Sequence, residues 1–224
     1  MKSNHGTLLF GMNVFLYAIF MVVNCYGADN DVKEDDSKKF DVIEFGGHNW
    51  LVLEIKDGKA LILSEKELGT GRYHSQSVAV AWESSAIRKY LNTEFLQSFS
   101  PTDRNRIADT KVVTNNNPWY DTHGGNATTD KIFLLSLEEV VQYFGDSGKL
   151  KNGSGQEHYF TDQYSQLRIA YDKNGMDSWW WLRSPGSRAI FAAYVHGDSD
   201  VYVCGFRVHD YGGGVRPALW LKLQ

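Results

Sequence analysis

The chain has 224 residues, of which 42 % are hydrophobic and 14 % aromatic, with seven Trp. That content excludes wholesale disorder and suits one domain with a targeting segment, since domains usually run to about 100–200 residues. A net charge of −4, without any basic stripe or Lys/Arg cluster, argues against a nucleic-acid partner, which would need phosphate neutralisation.

The N-terminus reads as an export signal: Lys2, then an apolar run over residues 8–23. The run is about 16 residues long with Asn13 inside it, short of the roughly 20 that a membrane span needs. Two processing sites fit. Val22-Val23-Asn24-Cys25 resembles a relaxed lipobox, which makes residues 1–24 the signal peptide and Cys25 the lipidated first residue. Stable anchoring would then take two or more acyl chains. The alternative is cleavage after Gly27, with Cys25 as the small residue of an A-x-A-like pattern. Residues 25–39 carry Asp29, Asp31, Glu34, Asp35 and Asp36 against Lys33, Lys38 and Lys39, with almost nothing apolar. They make a flexible acidic tether ahead of a folded domain at 40–224. Cys204 has no second cysteine in that domain, so packing alone must stabilise it.

In chain order, residues 41–45, 49–55 and 59–64 read as strands, the last two joined at Asp57-Gly58, a strong hairpin signal. Residues 82–107 have helical periodicity, with Ile87, Tyr90, Leu91, Phe95, Leu96 and Phe99 on one stripe and a new start at Ser100-Pro101-Thr102-Asp103. Arg88, Arg104 and Arg106 read as solvated helix-face residues. A strand at 111–114 leads into a long polar loop at 115–129, where Trp119 and Tyr120 either pack on the core or line a surface. A strand at 132–135 is followed by a capping box, Ser136 to Glu139, that opens a helix closed by Gly145. Residues 146–155 read as an exposed loop and 161–171 as a weaker helix. Strands, helices and more strands without βαβ alternation predict an α+β fold, mainly antiparallel sheet with two to four helices.

The C-terminal part holds two rigid blocks, Trp179-Trp180-Trp181-Leu182-Arg183-Ser184-Pro185-Gly186 and Gly213-Gly214-Val215-Arg216-Pro217-Ala218-Leu219-Trp220. If the first is a strand, Trp179 and Trp181 face one way and Trp180 the other. Arg183 and Arg216, each near Pro and Trp, call for ring stacking or a buried carboxylate. These blocks, with Ala192-Ala193-Tyr194-Val195, Ile87-Arg88-Lys89-Tyr90-Leu91-Asn92 and Asp130-Lys131-Ile132-Phe133-Leu134-Leu135-Ser136, resemble an uncharacterised bacterial domain family of unknown function. That family is similar to the C-type-lectin-like fold in its broad form, shared with formylglycine-generating enzymes. Some proteins of this fold are variable lipoproteins diversified by retroelements, with the variable binding surface in the C-terminal part. The resemblance implies a C-type-lectin-like domain from about residue 41 to the C-terminus.

Between the blocks, residues 187–211 are of another character. Alternation sets Asp198, Asp200, Tyr202, Cys204 and Phe206 apart from Val201 and Val203, so one face can pack while the other displays a mixed, paratope-like surface. The segment has no Lys, Glu, Gln, Met or Trp, against about five expected from composition. Those are the types that randomised adenines in an AAC- or AAT-like codon cannot produce, although strand-and-turn bias also explains their absence. The candidate ligand-binding residues are Phe191, His196, Asp198, Asp200, Tyr202, Cys204, Phe206, His209, Asp210 and Tyr211, with a protein or glycan as partner and the membrane reached through a lipid anchor.

Other chemistry is weakly signalled. Ser184 with His196 or His209 and an aspartate supplies triad types, but Ser-Pro-Gly is turn chemistry and no nucleophile elbow surrounds it. The redox cysteine pair of formylglycine-generating enzymes is reduced to Cys204. Asp198-x-Asp200 with His196 lacks a metal-site frame, and no cofactor is implied. The expectation is an exported, surface- or periplasm-facing binding protein. Its alternatives are a structural cell-envelope module and, last, an enzyme.

Overall fold

The computed structural model describes residues 39–223; the expected leader, Cys25 and all of the tether but Lys39 lie outside the described residues. Strands β1 (Val42–Phe45), β2 (His48–Lys56) and β3 (Lys59–Ser64) form the expected meander. Asp57 and Gly58 take φ of 50° and 68°, the positive values that a two-residue hairpin turn requires. A short β4 (Thr70–Gly71) follows.

The helical stretch expected over 82–107, with its new start at Ser100, is segmented further. It comprises a 3-10 turn (Trp82–Ser84), α1 (Ala86–Tyr90), a π-helical turn (Leu91–Phe95), α2 (Leu96–Ser98) and α3 (Pro101–Arg106). The last break is local chemistry. The Ser100 hydroxyl accepts from the Asp103 N–H at 3.1 Å and Pro101 occupies the first turn, so a cap ends what periodicity alone would continue.

β5 (Thr110–Val112) pairs with β6 (Thr128–Asp130), closing the polar loop between them. Inside that loop Trp119 is buried, its indole N–H donating to the Leu150 carbonyl at 2.8 Å. β7 (Ile132–Phe133) leads to α4 (Leu137–Phe144), where both halves of the Ser136/Glu139 capping box are made. The segment expected as an exposed loop contains α5 (Lys149–Asn152), with Leu150 buried. Gly153 lies so close to Trp119 that a Cβ there would overlap the indole. The weak helix expected at 161–171 shrinks to α6 (Ser165–Arg168), between β8 (Tyr159–Phe160) and β9 (Ala170–Tyr171). Then come β10 (Asp177–Ser178), β11 (Trp180–Pro185), β12 (Phe191–Val195), β13 (Val201–Arg207), β14 (Gly213–Gly214) and β15 (Ala218–Lys222).

The result is a mixed α+β fold dominated by antiparallel sheet, with more and shorter helices than the two to four expected. One sheet runs β1-β2-β3-β15-β7, so the last strand closes beside the N-terminal meander. The other runs β4-β14-β11-β12-β13-β8 and is antiparallel except where β11 meets β14. Among the described residues no helix is long and apolar enough to cross a membrane.

Arginines tie the layers together. Arg183 donates to both carboxylate oxygens of Glu139, at 2.5 and 2.7 Å, and to the Leu134 and Val113 carbonyls. Arg216 lies 5.0 Å from the Trp180 ring centroid and 5.8 Å from that of Phe144, with its Nε–H donating to the Ser64 carbonyl. Burial pushes its guanidinium down to about 9, so at neutral pH it is a buried cation held by ring faces and carbonyls. The two residues divide the expected roles, one taking the carboxylate and the other the rings. Arg88, Arg104 and Arg106, expected as solvated, are structural as well. Arg88 pairs with the buried Asp130 at 2.7 Å, Arg104 donates to the Phe99 carbonyl, and Arg106 lies over Phe45. Helical periodicity does not reveal the Asp130 and Phe45 partners, because they come from distant segments.

Candidate functional site

The site grows from the pleat of the second sheet. Side chains alternate along a strand, so Trp179 and Trp181 share one face, their rings 4.8 Å apart and at 71°. Trp180 points the other way, onto Phe144 and Arg216. Across the strands the register sets Trp181 beside Tyr194, Tyr194 beside Tyr202 and Tyr202 beside Tyr159. Neighbouring strands lie about 4.8 Å apart, and the tyrosines stack at that spacing. Their centroids are 4.7 Å apart at 16° for Tyr194 on Tyr202, and 4.8 Å apart at 22° for Tyr202 on Tyr159. Exposure climbs along this ladder from 0 % at Trp181 through 9 % at Tyr194 to 46 % at Tyr159.

Beside Tyr194 the face opens into a cavity of ≈ 270 Å³ lined by Trp179, Tyr194, His196, Phe206 and Tyr211. Phe206 reaches it because of a bulge. Tyr202 pairs with Tyr194 and Phe206 with Ala192, so residues 203–205 together oppose Ala193. That even excess keeps Phe206 on the Tyr194 face, where an odd one would turn it away. Gly205 makes the bulge possible. Its φ is 76°, and a Cβ there would press on the Ala192 carbonyl.

The tip of the β12–β13 hairpin supplies the rim. Ser199 takes φ of 77°, and the His196 N–H donates to the Asp200 carbonyl at 2.9 Å. Asp198 then meets His196 Nδ1 at 2.9 Å. Tyr194 and Tyr202 have phenol pKa values raised first by burial, with Asp198 among the further causes, so both hydroxyls keep their protons at neutral pH.

Of the ten candidate residues, His196, Phe206 and Tyr211 line the cavity. Tyr202 backs it through Tyr194 and His196, and Asp198 charges the rim. The other five take different partners. Phe191 lies under the Arg188 guanidinium, and Asp200 accepts the Thr161 hydroxyl. Cys204 falls in the bulge, its N–H donating to the His158 carbonyl, and burial pushes its thiol up. His209 Nε2 lies 3.5 Å from Asp210 Oδ1. Simple alternation grouped Cys204 with Tyr202 and Phe206 because it does not register a bulge. Nor is the whole of residues 187–211 on display, since Ala192, Ala193, Val195, Val201, Val203 and Val208 are core. Trp179, expected as frame, and Tyr194, which is not among the ten candidates, are cavity walls. The shared parity of Trp179 and Trp181 was the available signal for the first, but Tyr194 needed the cross-strand register.

The triad types do not converge on Ser184. It is buried, and its hydroxyl accepts from the Leu137 N–H at 3.0 Å at the start of α4. Among the described residues no three or more His, Cys, Asp or Glu are grouped to hold a metal ion.

The fold and site thus define an α+β domain with an aromatic cavity where a core strand meets an exposed hairpin. The chain belongs to the family described as a domain of unknown function (DUF6273), which matches residues 57–223. No curated protein and no solved structure matches it.

Proposed function

We propose that this is an exported binding protein, lipid-anchored through Cys25, that recognises a protein or glycan partner through the exposed part of residues 187–211. In this reading the frame is C-type-lectin-like and the acidic tether holds it away from the membrane. The observation that carries the reading is the cavity itself. Five aromatic or imidazole side chains from the β11, β12 and β13 regions and the loop after β13 converge on it. Tyr211 is 75 % exposed and Phe206 41 %, more than folding alone requires of such large rings.

Binding is tested with the full chain on glycan and peptide arrays. Phe206→Ala with Tyr211→Ala is expected to reduce a wild-type signal at least tenfold while the melting temperature stays within a few degrees, because both rings are exposed. An unchanged array pattern refutes the reading. Anchoring is tested separately. Cys25→Ala should abolish palmitate labelling and release the protein, and unchanged fractionation rules the anchor out. Retroelement rewriting of the exposed positions predicts a template copy of this segment beside a reverse-transcriptase gene. If the rewriting occurs, Val201, Val203 and Gly205 should stay fixed, because they are core or bulge residues.

A further inference from the structure

Taking that cavity as the binding site, we infer that its ligand group is a quaternary ammonium, such as the trimethylammonium head of choline. The ring geometry selects this chemistry. The Trp179 and Tyr194 centroids are 5.2 Å apart with planes at 70°, Trp179 and Phe206 5.8 Å at 75°, and Tyr194 and Phe206 6.0 Å at 69°. Three mutually near-perpendicular rings are the corner of a box. His196, at 69° to Tyr194, and Tyr211 supply further sides. A pyranose favours one open ring to stack on and a fan of hydrogen-bonding groups around its edge. Here the walls cross, and the polar atoms that the lining residues bring are few: phenol hydroxyls, an imidazole and an indole N–H.

A trimethylammonium group matches those walls. It is nearly spherical, carries a full positive charge spread over its methyl groups, and has no N–H to satisfy, so an apolar enclosure strands no donor. Aromatic faces attract such a cation through their quadrupoles. The charge is also complemented, because the Asp198 carboxylate sits at the rim, 2.9 Å from His196 Nδ1. On the loop wall Arg72 already lies 5.2 Å from the Tyr211 ring centroid, so the ligand's charge is met by the Trp179, Tyr194 and Phe206 faces and by Asp198 instead. The Arg72 contact holds in place a side chain that is otherwise free in solvent.

The test titrates the full chain with choline and with its neutral isostere 3,3-dimethylbutan-1-ol, by calorimetry or by chemical shifts of the Trp179 indole. Choline is expected to bind at least tenfold more tightly. Phe206→Leu keeps apolar bulk but removes a π-face, so it should weaken choline at least tenfold and leave the isostere unchanged. Phosphatidylcholine vesicles form a second arm. Retention on them that Phe206→Leu abolishes assigns the group to a lipid head, since an acyl anchor at Cys25 would hold both variants alike, and binding of free choline alone assigns it to a small solute. Equal affinity for choline and isostere overturns the cation assignment while leaving the cavity a ligand site. Absence of choline binding in a chain that still gives its array signal overturns it as well.

Discussion

Glu139→Ala is expected to be among the most destabilising single changes in the domain. Glu139 closes the capping box of α4 by accepting the Ser136 N–H, and it receives two hydrogen bonds from Arg183. The Arg183 side chain is 4 % exposed and that of Glu139 24 %, so the two halves of the pair are unequal. Removing the carboxylate leaves a guanidinium in the core with only carbonyls and the Phe133 ring around it. Breaking a buried pair in this way costs about 3–5 kcal/mol. In a domain of this size that lowers the melting temperature on the order of 10 °C. Arg183→Leu should cost distinctly less, because the stranded Glu139 can turn to water and keep its cap. Urea unfolding of the two variants decides the matter, and equal losses would show that the pair is not the asymmetric lock described.

Trp180→Ala is expected to cost a further about 3–5 kcal/mol through the cavity it opens. Trp180 is fully buried, packs on Phe144, covers the Arg216 guanidinium and donates its indole N–H to the Arg168 carbonyl at 3.2 Å. Losing it takes a ring face from a buried cation that has few other partners, so the loss should lie at the upper end of that range. Tyr211→Ala provides the contrast. Its ring stands in solvent apart from the Arg72 contact, and the change should stay within about 0.5 kcal/mol. If the two variants unfold at similar denaturant concentrations, the division between frame and displayed surface fails.

That division could be read only in part from residue order. The Asp57-Gly58 turn, the Ser136/Glu139 box, the Ser100 cap and the opposed faces of the three tryptophans were all legible, because each depends on groups within four residues of one another. The further segmentation of residues 82–98 into a 3-10 turn, α1, a π-helical turn and α2, and the burial of Leu150, were not. The first follows at its start from the Ser85 hydroxyl, which caps α1 by accepting the Arg88 N–H, and the second from Trp119 needing a cover that arrives some thirty residues later in the chain.

The candidate site divides in the same way. Sequence alone marked residues 187–211 as unusual by their alternation and missing residue types, and His196, Phe206 and Tyr211 are among the ten candidates that this reading named. Only the tertiary structure joined them to Trp179 and Tyr194 and separated them from Phe191, Asp200, Cys204, His209 and Asp210. The physical reason is register. Which rings meet across strands depends on how β11, β12 and β13 align and on two extra residues at the Gly205 bulge. Alternation along one strand carries the parity of a side chain, but its neighbour across the sheet is fixed by long-range pairing.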